Sequence, residues 1–230
     1  MQKSQAEEEV LRWGGLAGIL GSGLFILVFV IVGVFVGTET AEPVIRFPNV
    51  RAARTVENSL YLVVLILWVT HFLALFLALR RTRLAPALFG SVLGILGLVV
   101  LAAGALPHVA TAPISDLYHA PGATPEDQAD LVLLWHATQG IFDALLVVGL
   151  VVLPIGLISL GSAMLDVPAF GKALGGISVG LGVIGVGAAV VVLIDPSSPI
   201  AALGFFALII FHLVLGWKTY RLSRTAAPAL

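Results

Sequence analysis

A chain of 230 residues with 59% hydrophobic and 11% charged residues and a mean hydropathy of +1.09 lies outside the composition of soluble domains and reads as an integral membrane protein. Its net charge of -1 leaves no basic field for nucleic acid. The absence of cysteine excludes disulfides, thiolate metal sites and cysteine catalysis, so any metal would need histidine and carboxylate ligands.

Residues 1–15, MQKSQAEEEVLRWGG, are mixed in charge, and the apolar run behind them lacks a cleavage motif and is long enough to serve as an anchor. They are expected to form an uncleaved cytoplasmic segment. Six apolar segments then meet the spanning criterion of about 20 residues: Leu16 to Gly37, Ser59 to Leu79, Ala85 to Leu106, Ala144 to Leu165, Ala173 to Ile194 and Ile200 to Trp217. They lack period-two alternation, so helices are expected rather than barrel strands, giving an all-α bundle of six transmembrane helices over residues 16–217. Residues 218–230 form a basic tail.

The flanks set an orientation. Arg80, Arg81 and Arg83 fill the second connection and Lys218, Arg221 and Arg224 the tail, whereas Asp116, Glu126, Asp127 and Asp130 crowd the third. By the positive-inside rule both termini are expected to be cytoplasmic. Arg46, Arg51 and Arg54 in the first outer connection run against the pattern, and that connection is expected to fold back on the bundle, with Ala53 to Asn58 starting the second helix outside the lipid.

Glycines four apart, at Gly14 and Gly18, Gly90 and Gly94, Gly171 and Gly175, and Gly176 and Gly180, predict close packing by the first, third and fifth helices. RLAPALFGSVLGILGLV and DVPAFGKALGGISVGLGVIG also resemble each other as a parallel internal repeat, each carrying a cytoplasmic turn into a Gly-rich helix.

The pattern from Thr124 to Leu165 is too long for one crossing and holds the chain's main run of polar residues within a helix. Thr124, with Pro125 and Asp127 behind it, predicts a capped start, and Pro154 permits a kink. Two registers are open: a membrane starting at Leu131 puts Asp143 near the midplane, level with His71, whereas counting back from the turn at Asp166 to Lys172 places the outer boundary near Ala144. The second is preferred because Ala144 to Leu165 is an uninterrupted apolar run, so the fourth helix is expected to project outward. His136, Gln139 and Asp143 share one face of that projecting part.

Three kinds of chemistry follow. His108, His119, His136 and Asp143 could hold zinc or iron for hydrolysis if they converge, although no HExxH motif is present. His71 and His212 lie at similar depths on two helices running the same way, as the axial ligands of a b-type haem would. Neither cofactor is favoured over hydrogen bonding within the bundle. With no Lys, Arg or Glu expected in the interior, a continuous ion path is disfavoured. An apolar pocket with a polar rim fits better, with His136, Gln139, Asp143, His71 and His212 as candidate ligand-binding residues. The leading expectation is therefore a binding protein in the lipid bilayer, for a hydrophobic molecule such as a lipid or quinone, or a subunit beside a membrane protein partner.

GLISLGSAMLDVPAFGKALGGISVG and FFALIIFHLVLGWKTYRLSR resemble the last three helices of a family of small bacterial multi-pass membrane proteins that form a domain of unknown function, and RWGGLAGIL is compatible with its opening. That resemblance implies a bacterial cytoplasmic membrane and supplies no activity or site residue.

Overall fold

The computed structural model describes residues 5–36, 43–195 and 198–224. Gly37, residues 1–4 of the N-terminal segment and residues 225–230 of the basic tail lie outside them. Six helices, each apolar enough to cross a membrane, make up the fold: α1 (Gln5–Ile31), α2 (Pro43–Leu79), α3 (Leu84–Tyr118), α4 (Pro125–Leu165), α5 (Gly171–Ile194) and α6 (Ala201–Arg224). No strand occurs among the described residues. This is a multi-pass membrane protein, and helices are its form because lipid offers no partner for free backbone N–H and C=O groups. A π-helical turn, Val32–Val36, continues α1.

Each helix packs on its neighbours in sequence, and α6 returns to α1, so the six close into a ring. Helix α2 also touches α4 and α6 across the ring. The core accordingly gathers Trp68, Phe72 and Leu75 of α2 with Leu153, Leu157 and Leu160 of α4 and Phe211 and Leu215 of α6.

Glycine sets the helix spacing. A Cβ on Gly156 of α4 would lie 2.6 Å from the backbone nitrogen of Gly94 and 2.7 Å from the carbonyl oxygen of Gly90. On Gly15 of α1 it would meet the Gly216 carbonyl oxygen at 2.7 Å. Van der Waals contact and close backbone approach hold helices together in lipid, where apolar burial contributes little between them. The expected Gly14, Gly18, Gly90, Gly94 and Gly175 all lie in such seams. Gly171 instead takes a φ of +77° beside the α4–α5 turn, and Gly176 and Gly180 face open space. The α5 seam runs through Gly175, Ser178, Gly182 and Gly185, because those positions turn toward α4.

Two boundaries differ from the sequence expectation. Helix α2 begins at Pro43, so Arg46 and Arg51 belong to a helix and not to a folded-back connection, while Arg54 lies in that helix as expected. Helix α3 passes Pro107 and Pro113 and ends at Tyr118, which brings His108 and Asp116 inside it and leaves His119 as its C-cap. The cause is a second small core, in which Val44 and Phe47 of α2, Ile114 of α3 and Trp135 of α4 bury one another. Those contacts offset the backbone hydrogen bonds that the prolines remove.

Tight turns and ion pairs level one end of the bundle. Arg83 pairs with Asp166 across the α2–α3 and α4–α5 turns, and Glu7 accepts from Arg80 at 2.9 Å and Arg81 at 2.7 Å. The extra length of α2, α3 and α4, which have 37, 35 and 41 residues against 24 in α5 and α6, therefore falls at the other end. There the expected cap is present: Thr124 Oγ1 accepts from Asp127 N at 3.1 Å, and Asp127 Oδ2 accepts from Thr124 N at 3.0 Å.

Candidate functional site

Helical spacing puts Arg54, Glu57, Asn58 and Tyr61 on one face of α2. Glu57, Asn58 and Tyr61 border a cavity of about 140 Å³ whose remaining walls come from α1, α3, α4 and α6. Its body is apolar and aromatic. Phe25 contacts Phe29 at 5.2 Å, Phe205 at 5.6 Å and Tyr61 at 5.9 Å between ring centroids, and Phe142 and Leu146 of α4 close another side. Val32, the first residue of the π-helical turn, belongs to the same lining.

The polar edge is internally paired. Arg54 Nη1 donates to Glu57 Oε2 at 2.9 Å, which neutralises a carboxylate that is only 9% exposed. His108 Nδ1 lies 3.3 Å from Asn58 Oδ1, so a proton on Nδ1 leaves Nε2 as an acceptor. The His108 ring stacks on Phe142, centroids 4.1 Å apart at 24°. Asn58 and His108 also border a crevice of about 30 Å³ with Trp135 and Gln139, and a groove of about 190 Å³ with Thr55 and Val109. These two side chains thus form a partition shared by three voids.

The other expected residues fall around this site or away from it. Gln139 Nε2 donates to Asp143 Oδ1 at 3.4 Å, one turn along α4. Gln139 reaches the small crevice, His136 is exposed, and neither His136 nor Asp143 lines the cavity. His119 is exposed at the end of α3, its Nδ1 2.8 Å from the Ser115 carbonyl oxygen. Among the described residues, no three His, Cys, Asp or Glu side chains gather closely enough to hold a metal ion.

His71 and His212 do meet, deep in the core. Their Nδ1 atoms are 2.8 Å apart and both residues are fully buried. Trp68 stacks on His212 with centroids 4.2 Å apart and planes 7° from parallel. Gly18 of α1 lies directly against the pair, where a Cβ would come within 2.8 Å of His71 Nδ1. Beside it, Ser22 donates to the carbonyls of Gly18 and Ile209. A haem between the histidines needs an iron and a macrocycle separating the ring nitrogens. Two nitrogens at hydrogen-bond distance leave no such gap, so the pair as arranged does not fit that group.

Glu57, Asn58 and Tyr61 are the functional candidates that the sequence reading missed, and Glu57 corrects the expectation that no Glu lies in the interior. Arg54 three residues ahead of Glu57 was the available signal, an i,i+3 ion pair at the head of an apolar run. Fold and site together define a multi-pass membrane protein with a partly open cavity between its helices that is aromatic in its body and polar along one edge. No family model, curated protein or solved structure matches the chain, so the chemistry has to be read from these side chains.

Proposed function

We propose that this protein binds a hydrophobic small molecule at the cavity between α1, α2, α3, α4 and α6, without transforming it. The observation that carries this reading is the cavity itself, whose lining is mostly apolar and whose polar groups converge on one edge, the usual arrangement of a small-molecule site. The polar rim expected from His136, Gln139 and Asp143 is supplied chiefly by Glu57, Asn58, Tyr61 and His108 in this proposal.

The membrane placement supports the reading. The levelled end, with Arg80, Arg81 and Arg83 and the basic last turn of α6, lies in the cytoplasm together with both termini. Of the three arginines of α2, which run against this orientation, Arg51 pairs with Asp116 at 2.7 Å and Arg54 with Glu57. Helices α2, α3 and α4 then project outward beyond the lipid, and the cavity lies near the outer boundary. A hydrophobic molecule enters it from the bilayer, in a bacterial cytoplasmic membrane as the resemblance of the last helices implies.

Organic extraction of protein purified in mild detergent, followed by mass spectrometry, tests the proposal. A hydrophobic compound at near one per chain, lost from Ala105→Trp and Leu146→Trp, is the expected result. Equal retention by correctly folded cavity-filling variants would overturn it.

A further inference from the structure

We infer that the cavity selects an uncharged, oxygen-bearing planar ring with an apolar tail, the chemistry of a quinone or quinol, over a fatty acid or a phospholipid headgroup. This rests on the binding function proposed above and specifies its ligand. Three observations lead to it.

The first is charge. Among the described residues no Lys or Arg lines the cavity, and its carboxylate, Glu57, is already matched by Arg54, which lies outside the lining. A fatty acid or lipid phosphate would be desolvated beside Glu57 with no cation to receive it, and an uncompensated buried charge is strongly disfavoured. An amine gains little from a carboxylate already paired. The headgroup that fits is neutral.

The second is shape. A cavity of about 140 Å³ is close to the volume that accepts a single benzene ring. Phe25, Phe29, Tyr61, Phe142 and Phe205 line it, and Phe25 meets Phe205 edge to face at 81°. Aromatic faces and edges favour a further ring in an offset or edge-to-face position. A saturated chain gains area there but not this geometry.

The third is the donor and acceptor set. The Asn58 amide and the Tyr61 hydroxyl are donors suited to a ring carbonyl, and His108, when its Nδ1 proton is given to Asn58, offers Nε2 to a ring hydroxyl. Carbonyl and hydroxyl forms of one ring are thus both recognised. A tail leaves along the apolar lining of α1, past Val28 and Val32.

Melting temperatures of the purified full chain, with decylubiquinone, decanoic acid or decylbenzene as added probe, separate the possibilities. Decylubiquinone is expected to raise the melting temperature by several degrees when saturating. Decanoic acid should not, and decylbenzene should do so more weakly. The shift should vanish in Ala105→Trp or Leu146→Trp, while Asn58→Leu and His108→Leu should each weaken decylubiquinone about fivefold, the loss of one hydrogen bond. Stabilisation by decanoic acid or decylbenzene at least equal to that by decylubiquinone, abolished by either filling variant, would overturn the ring selectivity and leave the binding function standing. A shift unchanged in both filling variants, or none with any probe, would overturn both.

Discussion

His71 and His212 share one hydrogen bond, Nδ1 to Nδ1 at 2.8 Å, across the α2–α6 contact at the centre of the bundle. Two neutral imidazoles can make this bond only if one carries its proton on Nδ1 and the other on Nε2. The pair therefore has opposite tautomers, and the His212 Nε2 and the Trp68 indole nitrogen are buried without a hydrogen-bonding partner among the described residues. One good bond is made at the expense of two unanswered polar atoms. Such a site fixes the register of α2 against α6, because sliding either would break the bond, and Gly18 of α1 packs directly against the pair.

Replacing one histidine removes the bond and strands its partner. His212→Leu should destabilise the protein by about 1–3 kcal/mol through the imidazole left unpaired. The double replacement His71→Leu with His212→Leu should cost less than the two single changes added, with a coupling of about 1 kcal/mol. Equilibrium unfolding in mixed detergent micelles would measure the cycle, and strict additivity would refute the coupling.

Gly156 and Gly180 should respond oppositely to the same change. Gly156→Ala drives a methyl into the backbone of Gly90 and Gly94, atoms that cannot rotate aside, and overpacking of this kind costs about 1–3 kcal/mol. Gly180 has nothing within 4 Å. There alanine should be neutral or stabilising by about 0.5–1 kcal/mol, since glycine is a poor helix residue. The same unfolding measurement compares them.

Much of the bundle was legible in the sequence because lipid makes the rule simple: a long apolar run has to become a helix. The Thr124 cap and the close approaches of Gly14, Gly90 and Gly94 could be read for similarly local reasons. The extensions of α2 and α3 could not, because Val44, Phe47, Ile114 and Trp135 come from three separate segments and stabilise helix only together. That also hid the cavity. Glu57 reads from sequence as the solvated start of a span, and its burial depends on a cavity it shares with residues of α1, α3, α4 and α6. Gly176 and Gly180 show the opposite failure, a spacing that matched a packing motif on a face the chain leaves open.

The orientation can be read with two cysteines, since the native chain has none. Thr82→Cys lies in the arginine turn between α2 and α3, and Ala123→Cys lies in the loop before α4. In intact cells a membrane-impermeant maleimide should label position 123 and leave position 82 unlabelled until the cells are opened. Labelling at 82 alone would invert the proposed topology and put the cavity near the cytoplasmic face.

Glu7 should give the levelled end a pH dependence. It precedes the apolar run that begins at Leu16, and a hydrogen bond from Arg80, aided by the charge and hydrogen bond of Arg81, holds its carboxyl below the usual 4.5 against the opposing effect of partial burial. A carboxylate whose pKa is lowered on folding contributes stability that is fully present above its unfolded value and disappears as pH falls through the folded one. The melting temperature of the parent should therefore decline on acidification below about 4.5 more steeply than that of Glu7→Gln, which should melt lower at neutral pH. Parallel pH profiles for the two proteins would show that Glu7 adds nothing through its charge and that the arginines are held by other groups.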